Sequence, residues 1–147
     1  MKLKRIGVIL ILLLAFCGLA DSAYLYQQES VNAPLICNVE NLSGCNVVAA
    51  SHYSRLFGVS IAGYGLVFYG AIFVIAALEI ILFHLFLRRV IQWLAFAGFA
   101  ASLYFTFNEV FLIKALCIYC LASAFITLLI LIFATFLEPI RPKAIRA

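Results

Sequence analysis

The sequence predicts an all-α integral membrane protein, a bundle of four transmembrane helices. Of its 147 residues, 67% are hydrophobic and 11% are charged, which leaves too few polar side chains to cover a soluble domain of this size. Four runs with few charges are each long enough to cross about 30 Å of hydrocarbon as a helix. The net charge of +4 does not indicate nucleic acid binding, because the basic residues cluster at the ends of the apolar runs.

The apolar runs give the order of the elements. The predicted spans are about 6–26, 59–87, 90–108 and 117–137, with an outer loop at about 27–58, in one membrane domain over 1–147. The second run stops at Arg88-Arg89, so we expect the second and third helices to form an antiparallel hairpin with its turn there. Glu138-Pro139 is expected to end the fourth helix. A cleaved signal peptide is the alternative for the first run, because basic residues precede an apolar core and the small residues Gly18-Leu19-Ala20.

The distribution of basic residues predicts the orientation. Eight lie at the two termini and at Arg88-Arg89, whereas the connections 27–58 and 109–116 hold only Arg55 and Lys114. By the positive-inside rule, both termini and the Arg-Arg turn are cytoplasmic, and the two other connections face the periplasm or its equivalent. All cysteines except Cys17 then lie on that outer side.

The Cys117-Ile118-Tyr119-Cys120 motif indicates thiol chemistry. Residues three apart share a helix face, and Cys117 lies close to the positive end of the helix macrodipole. Such a thiol should ionise easily, and the thiolate is the form that reacts in disulfide exchange. An inert disulfide and one half of a zinc site are the structural alternatives.

Cys37 and Cys45 lie in the outer loop, where a structural disulfide is the simplest interpretation. With the Cys-x-x-Cys motif, however, one pair on a loop could face a soluble partner while the other lies where a lipid-soluble oxidant arrives. This arrangement favours an electron relay. We expect no metal site, because the loop has no second Cys-x-x-Cys and an oxidising compartment favours disulfides.

These residues resemble the bacterial vitamin K epoxide reductase family. The resemblance rests on the order Cys37, Cys45, Ser51 and Phe57-Gly58, followed by the stretch 65–70 with the sequence Gly-Leu-Val-Phe-Tyr-Gly. The segment 114–124, which contains the Cys-x-x-Cys motif, is similar to the family's active-site signature. The quinone-reducing DsbB family also has four spans, but its Cys-x-x-Cys lies in the first outer loop, so the order of the pairs favours the former family.

The resemblance implies four helices around a quinone, ubiquinone or menaquinone, covered by a short lid helix near 46–54. It also implies the role of each site residue. Cys37 would take electrons from a reduced thioredoxin-like oxidase and close onto Cys45, and Cys45 would exchange with Cys117. Cys120 would face the quinone, and Ser51 would contact it; a hydroxyl bonded to its own backbone is the alternative for Ser51.

Two departures from the family pattern shape the functional hypothesis. Many members carry a fused thioredoxin-like domain. This sequence ends at Ala147, so we expect its thiol partner to be a separate protein. Animal members use an Asn and a Tyr in the pocket, and the nearest positions here are Ile61 and Ala124. The resemblance therefore favours quinone reduction coupled to disulfide formation over vitamin K epoxide chemistry. A soft-metal carrier that uses the same thiols and a membrane scaffold with two structural disulfides are the competing hypotheses.

A few polar residues lie inside the predicted spans. Asp21 either takes part in proton uptake or lies at the lipid interface. Glu79 and His84 are expected at the interface or in a helix contact. His52, beside Ser51 in the loop, is expected to be solvated, and the mid-span Cys17 is expected to pack as a small apolar residue.

Overall fold

The computed structural model describes residues 2–37 and 44–137. Its helices are α1 (Lys2–Ser30), α2 (Cys45–Ala50), α3 (Ile61–Leu82), α4 (Leu85–Phe107) and α5 (Ile118–Leu137), with a 3₁₀ turn at His52–Ser54 and a π-helix at Asn108–Ile113. Two short strands, β1 (Arg55–Leu56) and β2 (Val59–Ser60), form a hairpin. Four of the helices are long and apolar enough to cross a membrane: α1, α3, α4 with the π-helix, and α5. The predicted all-α membrane bundle is confirmed. The predicted helix stop at Glu138-Pro139 lies outside the described residues.

The four long helices form a closed ring. Helix α1 packs against α3 and α5, and α4 completes the ring by packing against the same two helices. The core consists of one aromatic side chain, that of Tyr69, surrounded by small and branched side chains. Its residues are Val8, Ile11, Ala15, Tyr69, Ile72, Ala76, Ile91, Ala95, Ile130, Ala134 and Leu137. Large apolar side chains such as Phe136 point outward and are exposed. An apolar exterior of this kind is what a lipid environment requires.

The turn between α3 and α4 lies at Phe83-His84 and not at Arg88-Arg89. The predicted end of the second span and the predicted start of the third span are therefore wrong. Phe83 adopts a left-handed conformation (φ 49°), and the His84 Nδ1 accepts the Phe86 N–H, which ends one helix and begins the next. Arg88 lies one turn inside α4, where its guanidinium pairs with Glu79. Because Glu79 is 1% exposed, its carboxylate needs this cation. The expected helix contact of Glu79 is confirmed.

The lid, residues 44–60, differs from the single helix 46–54 that the resemblance implied. Helix α2 ends at Ala50 because Ser51 is extended (φ −72°, ψ 156°), and the 3₁₀ turn follows. The β-hairpin pairs Arg55 with Ser60 and turns at Phe57-Gly58, both with positive φ (52° and 81°). Two such residues give the tight turn that suits paired strands. Residues 59–60, predicted as the start of the second span, therefore belong to the hairpin.

The third span also runs further than the predicted end at Asn108. The π-helix extends it to Ile113, and Lys114 then adopts a left-handed conformation (φ 54°). The ends of α1, α4 and the π-helix and the beginnings of α3 and α5 thus meet at one end of the bundle. We call this the loop end, and it is the end that the lid covers.

Candidate active site

Four cysteines meet at the loop end of the bundle. Cys37 and Cys45 form a disulfide with their Cα atoms 6.3 Å apart, whereas Cys117 and Cys120 are free thiols. Cys45 and Cys117 are 0% and 2% exposed and share one buried cluster with Leu35. Cys37 and Cys120 are partly buried at the border of that cluster. The structure therefore brings together all four cysteines that the sequence singled out.

Gly44 is the point where the lid touches the segment leading to Cys117. Its N–H donates to the Leu116 carbonyl at 3.1 Å. A Cβ at position 44 would lie 2.8 Å from the Ala115 Cβ and 2.9 Å from the Leu116 backbone nitrogen and oxygen. Contacts this short do not occur between real atoms of these types, so the approach requires glycine. Because Cys45 follows directly, this contact sets its position relative to Cys117.

Side chains on both sides hold the segment that carries Cys37. The amide of Asn46 bonds both backbone groups of Leu35: Oδ1 accepts its N–H at 2.8 Å and Nδ2 donates to its carbonyl at 3.3 Å. The Tyr119 hydroxyl donates to the Ile36 carbonyl at 2.9 Å. These bonds tie the Cys37 segment to α2 and to α5, the two elements that present the other cysteines.

Cys117 occupies the N-cap position of α5, since its carbonyl accepts the Leu121 N–H at 3.1 Å. A hydrogen bond from the Cys120 thiol lowers the pKa of the Cys117 thiol, and the backbone N–H groups of Tyr119 and Cys120 lower it further. Burial and the charge of Glu109 oppose this effect without reversing it. The sequence predicted an easily ionised Cys117 from the helix macrodipole; the structure adds the neighbouring thiol as the main cause.

A cavity of about 130 Å³, which we call the lid cavity, lies between the lid and the bundle. Its walls are largely apolar, and they include Cys45, Cys117, Cys120 and Ser51. The Ser51 hydroxyl donates to the Val48 carbonyl at 2.6 Å, so its proton is engaged with its own helix. Asn108 also lines the lid cavity, is 4% exposed, and its Nδ2 has no hydrogen-bond partner among the described residues.

Glu109 lines the same cavity and contacts both parts of the Cys-x-x-Cys motif. Its Oε2 accepts the Cys117 backbone N–H at 3.3 Å, and its carboxylate lies within reach of the Cys120 thiol. The side chain is 2% exposed. A buried carboxylate needs such donors, because water is not available to solvate it.

A second cavity of about 360 Å³, which we call the inner cavity, lies deeper among the four long helices. Cys120 lines both cavities. Asp21 and Tyr69 also line the inner cavity, and the Tyr69 hydroxyl lies 2.7 Å from the Ser123 hydroxyl. One carboxylate oxygen of Asp21 is buried and has no partner among the described residues. Cys120 thus joins the two internal spaces.

Sequence reasoning missed four residues of this site: Gly44, Asn46, Asn108 and Glu109. A usable signal existed for the last two, because polar residues eight or nine positions before Cys117 lie at the end of an apolar span, where such residues are commonly functional. No sequence signal distinguishes Gly44 or Asn46 from ordinary loop residues. His52, by contrast, is exposed on the lid. Within residues 2–37 and 44–137, no group of three His, Cys, Asp or Glu side chains is arranged to hold a metal ion.

Comparison with known families agrees with the cysteine geometry. The model of the Vitamin K epoxide reductase family matches residues 9–135, which include α2, the β-hairpin and almost the full length of the four long helices. A comparison with curated proteins gives no match. Apart from Met1, the matched region leaves out only the first turns of α1 and the end of the chain.

Gly44→Ala should separate the lid from Leu116 and slow the reaction between Cys45 and Cys117. We expect a loss of about tenfold or more, because displacements near 1 Å strongly reduce reactions that depend on alignment. The measurement is the rate at which a Cys45–Cys117 disulfide forms after addition of the oxidant diamide, in a background with Cys37 and Cys120 replaced by serine. Gly70→Ala is the control, since its Cβ would meet only Leu19, at 3.9 Å. Equal rates in the two variants would contradict the assigned role of Gly44.

Cys117 should react with alkylating reagents at lower pH than an ordinary thiol. A lowered pKa means that the thiolate is already present below about 8.5, the ordinary value for cysteine, and the thiolate is the reactive form. The half-maximal pH of iodoacetamide labelling, followed by mass spectrometry, measures this. Cys120→Ala removes the donor thiol and should move the midpoint upward. A midpoint that does not move would exclude the Cys120 hydrogen bond as its main cause.

Proposed function

The chain belongs to the vitamin K epoxide reductase family, and on this premise we propose that it reoxidises a thioredoxin-like partner and passes the electrons to a quinone. The coarser part of this statement, a membrane thiol oxidoreductase, follows from the family and the four spanning helices. The observation that carries the finer part is the adjacency of two different cysteine pairs at one buried cluster. One pair borders the lid surface and the other borders an apolar cavity.

The lid cavity has the features that a quinone head group requires. Its walls are apolar, two thiols line it, and Asn108 offers a buried N–H donor without a partner among the described residues. A planar ring with two carbonyl groups fits such a pocket, because an apolar site with a few placed donors is the usual form of a small-molecule site. When bound, the quinone supplies a two-electron acceptor. Cys120 and Ser51 are the other proposed contacts, and Ser51 must release Val48 to donate a bond of its own.

Electrons would move by two disulfide exchanges. The partner's two thiols reduce the Cys37–Cys45 disulfide and become a disulfide themselves. Cys45 then attacks Cys117 of an inner Cys117–Cys120 disulfide, and Cys37 displaces Cys117 from Cys45, which restores the loop disulfide and leaves two inner thiols. The structure has this distribution, with Cys37 and Cys45 joined and the inner pair reduced. Oxidation of the inner pair by the quinone completes the cycle.

The lid surface near Cys37 suits a protein partner. Ile36 precedes Cys37 and is 66% exposed, and Val47 on α2 is 57% exposed. Exposed apolar side chains beside a reactive disulfide are a common feature of docking sites for thiol partners, which bury such a surface during exchange. We propose that the thioredoxin-like protein binds here, with its reactive thiol directed at Cys37.

We propose a multi-pass location in the bacterial inner membrane, with both termini cytoplasmic and the loop end periplasmic. The excess of basic residues at the termini and in α4 supports this orientation, and an oxidising compartment suits the loop disulfide. Vitamin K epoxide reduction is not part of the proposal. Ile61, at the position nearest the asparagine of animal members, lines both cavities with an apolar side chain.

Cys120→Ser should abolish quinone reduction. Purified oxidised protein, a reduced thioredoxin-like oxidase and a short-chain quinone are mixed without oxygen, and quinone absorbance is followed. The variant keeps Cys117 but cannot form the inner disulfide, so electrons have no exit to the quinone. Cys17→Ser is the control, because Cys17 lies in α1 away from the cluster. Absence of quinone reduction by the wild type with either benzoquinones or naphthoquinones would refute the proposed function.

Asn108→Leu should raise the KM for quinone by about tenfold, which corresponds to the loss of one hydrogen bond to a neutral group. The variant has a similar volume and keeps the cavity apolar, so the Cys45–Cys117 exchange should proceed at the wild-type rate. Steady-state quinone reduction measures the first quantity, and disulfide trapping measures the second. A KM that stays within about twofold of the wild-type value would remove Asn108 from the proposed binding site.

A further inference from the structure

Glu109 is an ionisable residue inside an apolar span, and its contacts are unusual for a structural role. Its carboxylate accepts the backbone N–H of one motif cysteine, it lines the same cavity as the thiol of the other and lies within reach of it, and the side chain is 2% exposed. An ion pair such as Glu79–Arg88 stabilises a buried charge with a cation. Within the described residues, no salt bridge to Glu109 is formed. The second group beside the carboxylate is a thiol, which can give up its proton.

The π-helix fixes the position of Glu109. Its wide turn lets the Glu109 carbonyl accept both the Lys114 N–H and the Ala115 N–H, the latter at 3.1 Å. The chain then reverses through the left-handed Lys114 and leads to Cys117. This reversal lets Glu109, eight residues earlier, lie beside the start of α5. Single π-helical turns are rare and occur often at functional sites, because they aim a side chain that a regular helix would direct elsewhere.

The proposed function leaves one step without a named group. When the inner disulfide forms, Cys117 can react as a thiolate, but the Cys120 sulfur still carries its proton. The Cys120 thiol neighbours both the Cys117 sulfur and the Glu109 carboxylate, and the carboxylate is the stronger proton acceptor available to it once Cys117 is consumed in the disulfide. The other titratable side chains that line the lid cavity are Glu29 from α1 and Tyr53 from the 3₁₀ turn. Glu29 is engaged with Arg55 and Ser60.

We propose that Glu109 is the general base of the inner cysteine pair: it takes the Cys120 proton as the Cys117–Cys120 disulfide forms and returns it to the lid cavity. This inference rests on the proposed function and adds a catalytic residue to it. In the step, the Cys120 S–H bond breaks, an O–H bond forms on Glu109, and the S–S bond forms. Two electrons pass to the quinone together with two protons, one through Glu109 and one from water. Glu109 ends the cycle ionised, as it began.

A merely structural Glu109 would act only as a hydrogen-bond acceptor for the Cys117 N–H. Glu109→Gln separates the two roles, because the amide oxygen still accepts that bond while the side chain can no longer take a proton. The substitution also removes a negative charge beside Cys120. Without that charge the Cys120 thiolate is easier to form, so alkylation of Cys120 should become faster. Loss of the base should make quinone reduction slower, and the two measurements should therefore change in opposite directions.

The experiment compares wild type, Glu109→Gln and Glu79→Gln. Glu79 is the matched control, because it is a buried carboxylate inside a span that pairs with Arg88 and lines neither cavity. The first measurement is alkylation of Cys120 in quinone-free protein, in a Cys117→Ala background. The second is single-turnover quinone reduction by pre-reduced protein between pH 5.5 and 9. The rate of quinone reduction by the wild type should fall as the pH is lowered, because a protonated Glu109 cannot accept the thiol proton.

We expect Glu109→Gln to slow quinone reduction at pH 7 by about 100-fold, the usual contribution of a positioned base, and to recover part of the rate at alkaline pH. Alkylation of Cys120 should become faster in the same variant, and Glu79→Gln should resemble wild type in both measurements. Quinone reduction by Glu109→Gln within about twofold of the wild-type rate would overturn the inference. So would slower alkylation together with slower reduction, or an equal loss in Glu79→Gln.

The two proposals fail in different ways. If the wild type does not reduce quinone, the proposed function is refuted, and the alkylation measurement alone then decides whether the Glu109 carboxylate acts on the Cys120 thiol. If the wild type reduces quinone and Glu109→Gln does so equally well, the proposed function stands and Glu109 is not its base. Alkylation that Glu109→Gln leaves unchanged would show that the carboxylate does not act on Cys120.

Discussion

The arrangement of the loop end depends on one backbone contact, the hydrogen bond between Gly44 and Leu116. The proposed exchange between the two cysteine pairs requires their sulfur atoms to approach within bonding distance along a defined line. Cys45 and Cys117 are 72 positions apart in the numbering, so a tertiary contact must bring them together. A residue without a side chain allows the lid to touch the backbone that leads into α5. The bonds made by Asn46 and Tyr119 then fix the Cys37 segment to the same assembly.

A buried charge in lipid needs a partner, and the two ends of the bundle meet this need differently. At one end the Arg88 guanidinium of α4 pairs with Glu79 of α3 across the turn at Phe83-His84. At the loop end, Glu109 accepts a backbone N–H and lies beside the Cys120 thiol. The first solution makes a fixed turn. The second leaves a carboxylate in contact with a reactive sulfur, which is a chemical rather than a purely structural arrangement.

The sequence was sufficient for the features that depend on composition and local pattern. Apolar runs revealed the four spans, and the spacing of Cys117 and Cys120 revealed the reactive pair. The turn at Phe83-His84 was missed because a charge-based boundary cannot detect that Arg88 folds back onto Glu79. The hairpin at Phe57-Gly58 and the π-helix were missed because hydropathy depends on side-chain polarity. It does not reveal left-handed backbone conformations or the wider turns of a π-helix. Asn108 and Glu109 were hidden by the same error, since they resembled the polar edge of a span.

The burial of the inner cysteines has a further consequence for selectivity. Cys117 is 2% exposed, and Cys45, which shares its buried cluster, is 0% exposed. Small thiols and disulfides in the surrounding solution therefore meet Cys37 and its disulfide before they can meet the inner pair. In the proposed electron relay, this burial would slow direct exchange between small thiols and the inner pair, so that electrons would enter through the loop disulfide. The effect is kinetic, and it would hold even where the redox potentials of the two sides favour direct exchange.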